Sequence, residues 1–225
     1  MHLHREESYS LPGNATVEDI IESESKRRTF WLLESTRCPT LHFKLDWSLN
    51  VLGQEHLYAE YSAAYPFAIK DITTLLPSSE NDFAFGLVPP QRPALADSQA
   101  AYDHPELLSL PSTSLFATVV QAHNLWGQVA RRAGRAARSE RRKDDSIGNK
   151  PWEHHSEYLK LTLTLKSWEE NMPPQHRWSE WNFRGYKAKF LGRAYLSEVI
   201  VTRLSNIIIR RVYLHEYVND PISML

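Results

Sequence analysis

The polar and apolar positions of this 225-residue chain fall into four blocks. The first covers residues 14–35. Thr16 followed three residues later by Asp19 is a variant of the capping box and marks a helix start. Inside the block, Glu22-Ser-Glu-Ser-Lys-Arg-Arg-Thr-Phe-Trp-Leu-Leu33 turns from charged to bulky apolar. That change predicts a helix solvated in its first half and buried in its second. Ile20, Ile21, Glu24 and Arg28 share one side of it at helical spacing. From Thr36 to Phe85 the period breaks, punctuated by Pro39, Pro66 and Pro77. Residues 86–111, with Pro89-Pro90, Pro93, Pro105 and Pro111 among Ala and Ser, read as an exposed Pro-rich connector.

From Ser112 onward the helical period returns. Ser112 or Thr113 is placed to cap a helix over 112–138, with Leu115, Phe116, Val119, Val120, Leu125, Trp126 and Val129 as its apolar positions. A second helix, 156–171, runs through Leu159, Leu163 and Trp168 until Met172-Pro-Pro174 stops it. A third, 184–217, is expected to bury Phe190, Leu191, Tyr195, Leu196, Val199, Leu204, Ile207, Ile208 and Val212. The expected fold is therefore all-α, an irregular helical bundle.

Composition narrows the function classes. Apolar residues make up 42% and aromatics 11%, enough for a sizeable core, while a formal net charge of −1 argues against a protein that coats nucleic acid. No apolar run approaches the ~20 residues of a membrane span. The opening Met-His-Leu-His-Arg-Glu-Glu has no apolar signal region, so an intracellular chain is expected.

Catalytic patterns are missing from the sequence. The eight glycines are scattered, so neither a phosphate loop nor a dinucleotide fingerprint can be written. There is no His-Glu-x-x-His helix and no Gly-x-Ser-x-Gly elbow. His154-His155 with His176 is the one histidine cluster; adjacent histidines leave a helix in different directions, so surface or helix-start positions fit them better than a metal site. Glu169-Glu170 reads as a solvated helix face rather than an acid/base pair. Cys38 is the only cysteine, an unpaired thiol with a packing role. No metal or cofactor site is expected in this chain, and no enzymatic activity.

One charged feature remains. Arg131, Arg132, Arg135, Arg138, Arg141, Arg142 and Lys143 fall within thirteen residues, opposed only by Glu140. Arg131, Arg135, Arg138 and Arg142 lie four, three and four apart, one stripe on a helix. Residues 131–150 then read as a solvated basic helix end and loop, as a nuclear-import or phosphate-binding stripe, or as a DNA contact.

Several phrases, in order, resemble the regulatory middle region of fungal zinc-cluster transcription factors. They are the helix ending Arg27-Arg-Thr-Phe-Trp31, the loop Pro66-Phe-Ala-Ile-Lys-Asp-Ile-Thr-Thr-Leu-Leu-Pro77 with Ser78-Ser-Glu80 and Phe83, then Trp168-Glu-Glu-Asn-Met-Pro173 with Arg177-Trp178, and Leu204-Ser-Asn-Ile-Ile-Ile-Arg-Arg-Val-Tyr-Leu214. His4-Arg5-Glu6 resembles the end of the preceding family helix. The resemblance implies one partial regulatory domain over 1–225 that modulates RNA polymerase II transcription from the nucleus. In such proteins it is attached to a zinc-cluster DNA-binding module and works with co-regulators, in some cases with a small-molecule effector. The zinc cluster needs six thiolates, so with one cysteine both zinc and DNA would be reached only through a module this sequence lacks. Residues 36–65 depart from the family wording and are a candidate insertion or foreign gene segment; together with the end at Asp220-Pro-Ile-Ser-Met-Leu225 they read as an incomplete domain. A free-standing helical interaction module, or a helical enzyme with an unrecognised pocket, are the other readings.

Overall fold

The computed structural model describes residues 2–37, 68–142 and 156–219. Among them there are seven α-helices and no strand: α1 (Val17–Arg37), α2 (Glu80–Phe85), α3 (Gln99–Asp103), α4 (Leu115–Arg142), α5 (Glu157–Asn171), α6 (Glu180–Ala188) and α7 (Gly192–Asn219). The all-α expectation holds. The candidate insertion at 36–65 and the His154-His155 pair lie almost wholly outside the described residues, as does Cys38.

Local chemistry sets most of the helix ends. At α1 the capping box is reciprocal: Thr16 N–H donates to Asp19 Oδ2 at 2.9 Å, and Asp19 N–H donates to Thr16 Oγ1 at 3.2 Å. The Thr16 N–H and hydroxyl, both donating to Oδ2, hold the Asp19 carboxyl below its ordinary range. Serine hydroxyls cap five later helices, with Ser79, Ser98, Ser114, Ser156 and Ser179 each accepting a backbone N–H from the first turn of α2 to α6. The cap of α4 is thus Ser114, rather than Ser112 or Thr113. Gly86 ends α2 at φ 60°, where Val17 and Ile21 of α1 leave no room for a side chain.

The main core lies where α4, α5 and α7 meet, around Trp126, Val129, Leu161, Leu165, Val201 and Ile209. A second core joins α1 to the start of α4 through Phe30, Trp31, Ile72, Leu76, Leu95 and Val120. The 72–79 loop between them is extended and buried along one edge, tied by Leu76 N–H to Pro93 O at 2.9 Å and Thr73 N–H to His4 O at 2.9 Å.

Four expectations need correction. The charged half of α1 is not solvated: Glu24 and Arg27 are each 3% exposed, whereas Leu32 and Leu33 are half exposed. The Pro-rich stretch 86–111 is not simply exposed, because Ala94, Leu95, Ala100 and Ala101 are buried and α3 forms within it. The third predicted helix is two. Leu191 N–H bonds back to Tyr186 O at 2.8 Å and Phe190 takes φ 60°, a C-terminal turn that ends α6 and restarts the chain as α7. Phe190, expected in the core, is 97% exposed, and Ile207 and Leu163 are also exposed. Apolar periodicity cannot see this turn, since Phe190 and Leu191 fit the period on both sides of it.

Candidate functional site

Three places gather polar chemistry. The first is the junction of the N-terminal turn (Glu6–Tyr9), α1 and the 72–79 loop. Arg27 forks onto Glu6, Nη1 to Oε2 at 2.6 Å and Nη2 to Oε1 at 2.7 Å, and also donates to Leu75 O at 3.1 Å. Its guanidinium lies 4.3 Å from the centre of the Tyr9 ring. Arg28 donates to Ser78 O at 2.7 Å and Trp31 Nε1 donates to Leu75 O at 2.9 Å. The buried Glu24 accepts Ser78 N–H at 3.0 Å and is flanked by Arg28 at 3.2 Å and Arg92 at 2.8 Å. So the Arg-Arg-Thr-Phe-Trp phrase reads the backbone of the loop phrase through three side chains. Glu80, the first residue of α2, then crosses to α4. Its carboxylate accepts from Ser114 Oγ, Leu115 N–H and Phe116 N–H at 2.9–3.1 Å, where the helix dipole favours negative charge.

The second place is the turn between α5 and α6. Arg177 donates to Met172 O at 2.8 Å and Glu170 O at 2.7 Å, satisfying carbonyls that the end of α5 leaves unpaired. His176 is buried, and its Nδ1 shares a 2.8 Å hydrogen bond with Tyr186 Oη. Burial holds the His176 imidazole below its ordinary pKa and pushes the Tyr186 phenol up to about 12. The expectation of a surface or helix-start histidine is therefore corrected for His176: it is a core residue, held by a partner ten positions away. Of the Glu169-Glu170 pair, expected to be a solvated helix face, Glu170 is exposed but Glu169 is half-buried beside Asn206 and Arg203.

The third place is a cleft of about 300 Å³ between the end of α5 and α7, lined by Glu169, Met172, Arg177, Trp178, Glu198 and Arg203 among others. Glu198 is 2% exposed. One carboxyl oxygen accepts from Thr202 Oγ1 at 3.2 Å and the other has no hydrogen-bond partner. Burial pushes this carboxyl up to about 7, the Thr202 bond opposing it. No sequence pattern singled out Glu198; the available signal was one acid inside the apolar run Tyr195–Ile209.

The arginine stripe is brought together only as backbone. Arg131, Arg135, Arg138 and Arg142 all lie on the last three turns of α4, which extends four residues beyond the predicted 138. Arg131 is half-buried; the side chains of Arg135, Arg138 and Arg142 lie outside the described residues. Arg132, beside the stripe, is buried and sits 3.6 Å from Glu157 of α5. Among the described residues no three His, Cys, Asp or Glu side chains cluster as a metal site needs, and no helix is long and apolar enough to cross a membrane.

Against known proteins, the chain is similar to an uncharacterized transcriptional regulatory protein of Schizosaccharomyces pombe, with 24% identity over 186 residues, or 78% of this chain. The chain spans 23% of that protein's length. No family model matches the chain, and no solved structure matches it.

Proposed function

We propose that this chain is the helical regulatory part of a fungal transcription regulator, acting in the nucleus on RNA polymerase II transcription. The DNA reader is a zinc-cluster module outside this sequence. The observation that carries the reading is the junction between α1 and the loop. The phrases that resemble the family in sequence touch in space: Arg27 and Trp31 bond Leu75 O, and Arg28 bonds Ser78 O. Words that recur together because they form one buried contact support common descent better than matched composition does. Similarity over 78% of the chain to a protein named as a transcriptional regulator supports the same reading.

In this role the chain performs no catalysis and holds no metal or cofactor of its own. It would act by contact with co-regulators and with the attached DNA-binding module, and the cleft beside Glu198 is the place for a small-molecule effector. The test is a reporter assay. The 225 residues are fused to a heterologous DNA-binding domain, and transcription is compared with that domain alone, while gel shifts follow the unfused chain on duplex DNA. The expected result is a changed reporter level with no gel shift. An unaltered reporter would overturn the regulatory reading, and tight sequence-selective binding by the unfused chain would overturn the claim that the reader lies elsewhere.

A further inference from the structure

We infer that the outer face of α7 docks an acidic amphipathic helix of a partner protein. Ile200, Ile207 and Leu214 recur every seven residues along this helix and are 60%, 61% and 60% exposed. Seven-residue spacing on an α-helix keeps side chains within about 20° per step of one line, the seam along which a second helix packs. Leu196, half-buried, continues the line toward the start of the helix. The opposite side of α7, with Val201, Ser205, Ile208 and Ile209, is already committed to the core.

Charge decides what can lie there. Between Gly192 and Leu214 the helix carries Arg193, Arg203, Arg210 and Arg211, and its one acid, Glu198, is buried. All four arginines are exposed. Arg203 and Arg210 flank the apolar line on one side and Arg211 borders it on the other, while Arg193, seven residues before Ile200, stands at the head of the line itself. Across the packing, the Glu169 carboxylate of α5 stands 4.0 Å from Arg203, at the limit of an ion pair. A seam of Ile and Leu edged by Arg203 and Arg210 is complementary to a helix with apolar residues in its own seam and Glu or Asp beside it.

A second copy of this chain fits badly. A two-fold pairing of this face would set the same arginines against each other, and like charges directly opposed disfavour association. An anionic bilayer fits less well too. Helices that lie in a membrane surface present a broad apolar face, usually with Trp or Phe, and this line is one residue wide.

The experiment uses the full chain and two synthetic peptides of about three heptads each, with identical Leu and Ile seams and either Glu or Lys at the flanking positions. Binding is read by fluorescence anisotropy at about 0.1 M salt, where charges within roughly 10 Å still interact. The Glu peptide is expected to bind at least about tenfold more tightly than the Lys peptide, since several surface pairs act together. The variant Ile207→Ser should weaken the Glu peptide. The double variant Arg203→Glu, Arg210→Glu should reverse the preference and gain affinity for the Lys peptide, an outcome that only a folded protein can give. Equal affinity for the two peptides overturns the proposal. So does self-association in sedimentation that Ile207→Ser abolishes, which would make a second copy the occupant. Binding to phosphatidylserine vesicles without binding to the Glu peptide would assign the face to a membrane instead.

Discussion

Replacing Arg27 with Met tests the central claim about how the N-terminal part of this chain is held. The substitution keeps most of the side-chain volume and removes two charge-assisted hydrogen bonds to Glu6, one to Leu75 O and the stacking over Tyr9. Breaking a buried ion pair typically costs ~3–5 kcal/mol. Here the Glu6 side chain is 36% exposed, so water can recover part of its solvation, and Glu24 keeps Arg28 and Arg92. The lower end, about 3 kcal/mol, is therefore expected. Urea unfolding followed by tryptophan fluorescence would read this as a midpoint lowered by about 1–3 M, given slopes of ~1–3 kcal/mol/M. Glu6→Gln alone should cost less, and the double variant should show a coupling of at least about 1 kcal/mol. Arg27→Lys should fall between Met and wild type, because an ammonium cannot fork onto a carboxylate. A loss under about 1 kcal/mol, or strict additivity with Glu6→Gln, would refute the reasoning and leave the pair as surface decoration.

Glu198→Gln concerns pH. With the folded carboxyl raised from 4.5 to about 7, the native state holds a proton that the unfolded state has lost, so wild-type stability should fall as pH rises from about 4.5 to 7, by up to about 3 kcal/mol. The Gln variant should lack that fall, and parallel stability curves for the two proteins would contradict it. Gly86→Ala should destabilise by at least about 1–3 kcal/mol, because an added Cβ would lie 2.5 Å from Val17 Cγ1 in a left-handed backbone; unfolding at an unchanged urea midpoint would show that α1 and α2 do not meet there. Changing Arg131, Arg135, Arg138 and Arg142 together to Gln should move a fluorescently tagged chain from nucleus to cytoplasm if the stripe is an import signal, with little change in helicity, since the two residues have similar propensity. An undiminished nuclear signal would return the stripe to a solvated helix end.

The long helices were legible in the sequence, though α6 and α7 were read as one and the short α2 and α3 were not foreseen; the polar interior was not legible. The capping box at Thr16 and Asp19 and the stop at Met172-Pro-Pro174 act within a few residues, so a local pattern carries them. Glu24 and Arg27 are different. A charged helix half is indistinguishable from a solvated one until Glu6, Leu75, Ser78 and Arg92 arrive from elsewhere in the chain. The same holds for His176, read from the sequence as a surface or helix-start residue: it is buried, and its Nδ1 bonds Tyr186 Oη of α6, ten positions on. The Arg27-Arg-Thr-Phe-Trp31 phrase and the loop phrase through Leu75 and Ser78, far apart in the sequence, are two halves of one contact that no local pattern shows.

The helix α7 shows why the candidate interaction face escaped the pattern. Its Ile207-Ile-Ile209 run is apolar around most of a turn, so no moment distinguishes inside from outside. The structure divides the run: Ile208 and Ile209 are buried while Ile207 points to solvent. A helix apolar on more than one side normally has packing on more than one side. In this chain α4 and α5 supply the first layer, and the arginines around Ile200, Ile207 and Leu214 set the chemistry of the second. They exclude a copy of the same surface and favour an acidic helix. The unpartnered oxygen of Glu198, by contrast, faces a cleft on the inner flank of α7, so a ligand there and a partner on the outer face could both act on one element. Such a helix, 28 residues long and open to contact from two sides, is the element through which the proposed regulation by contact would run.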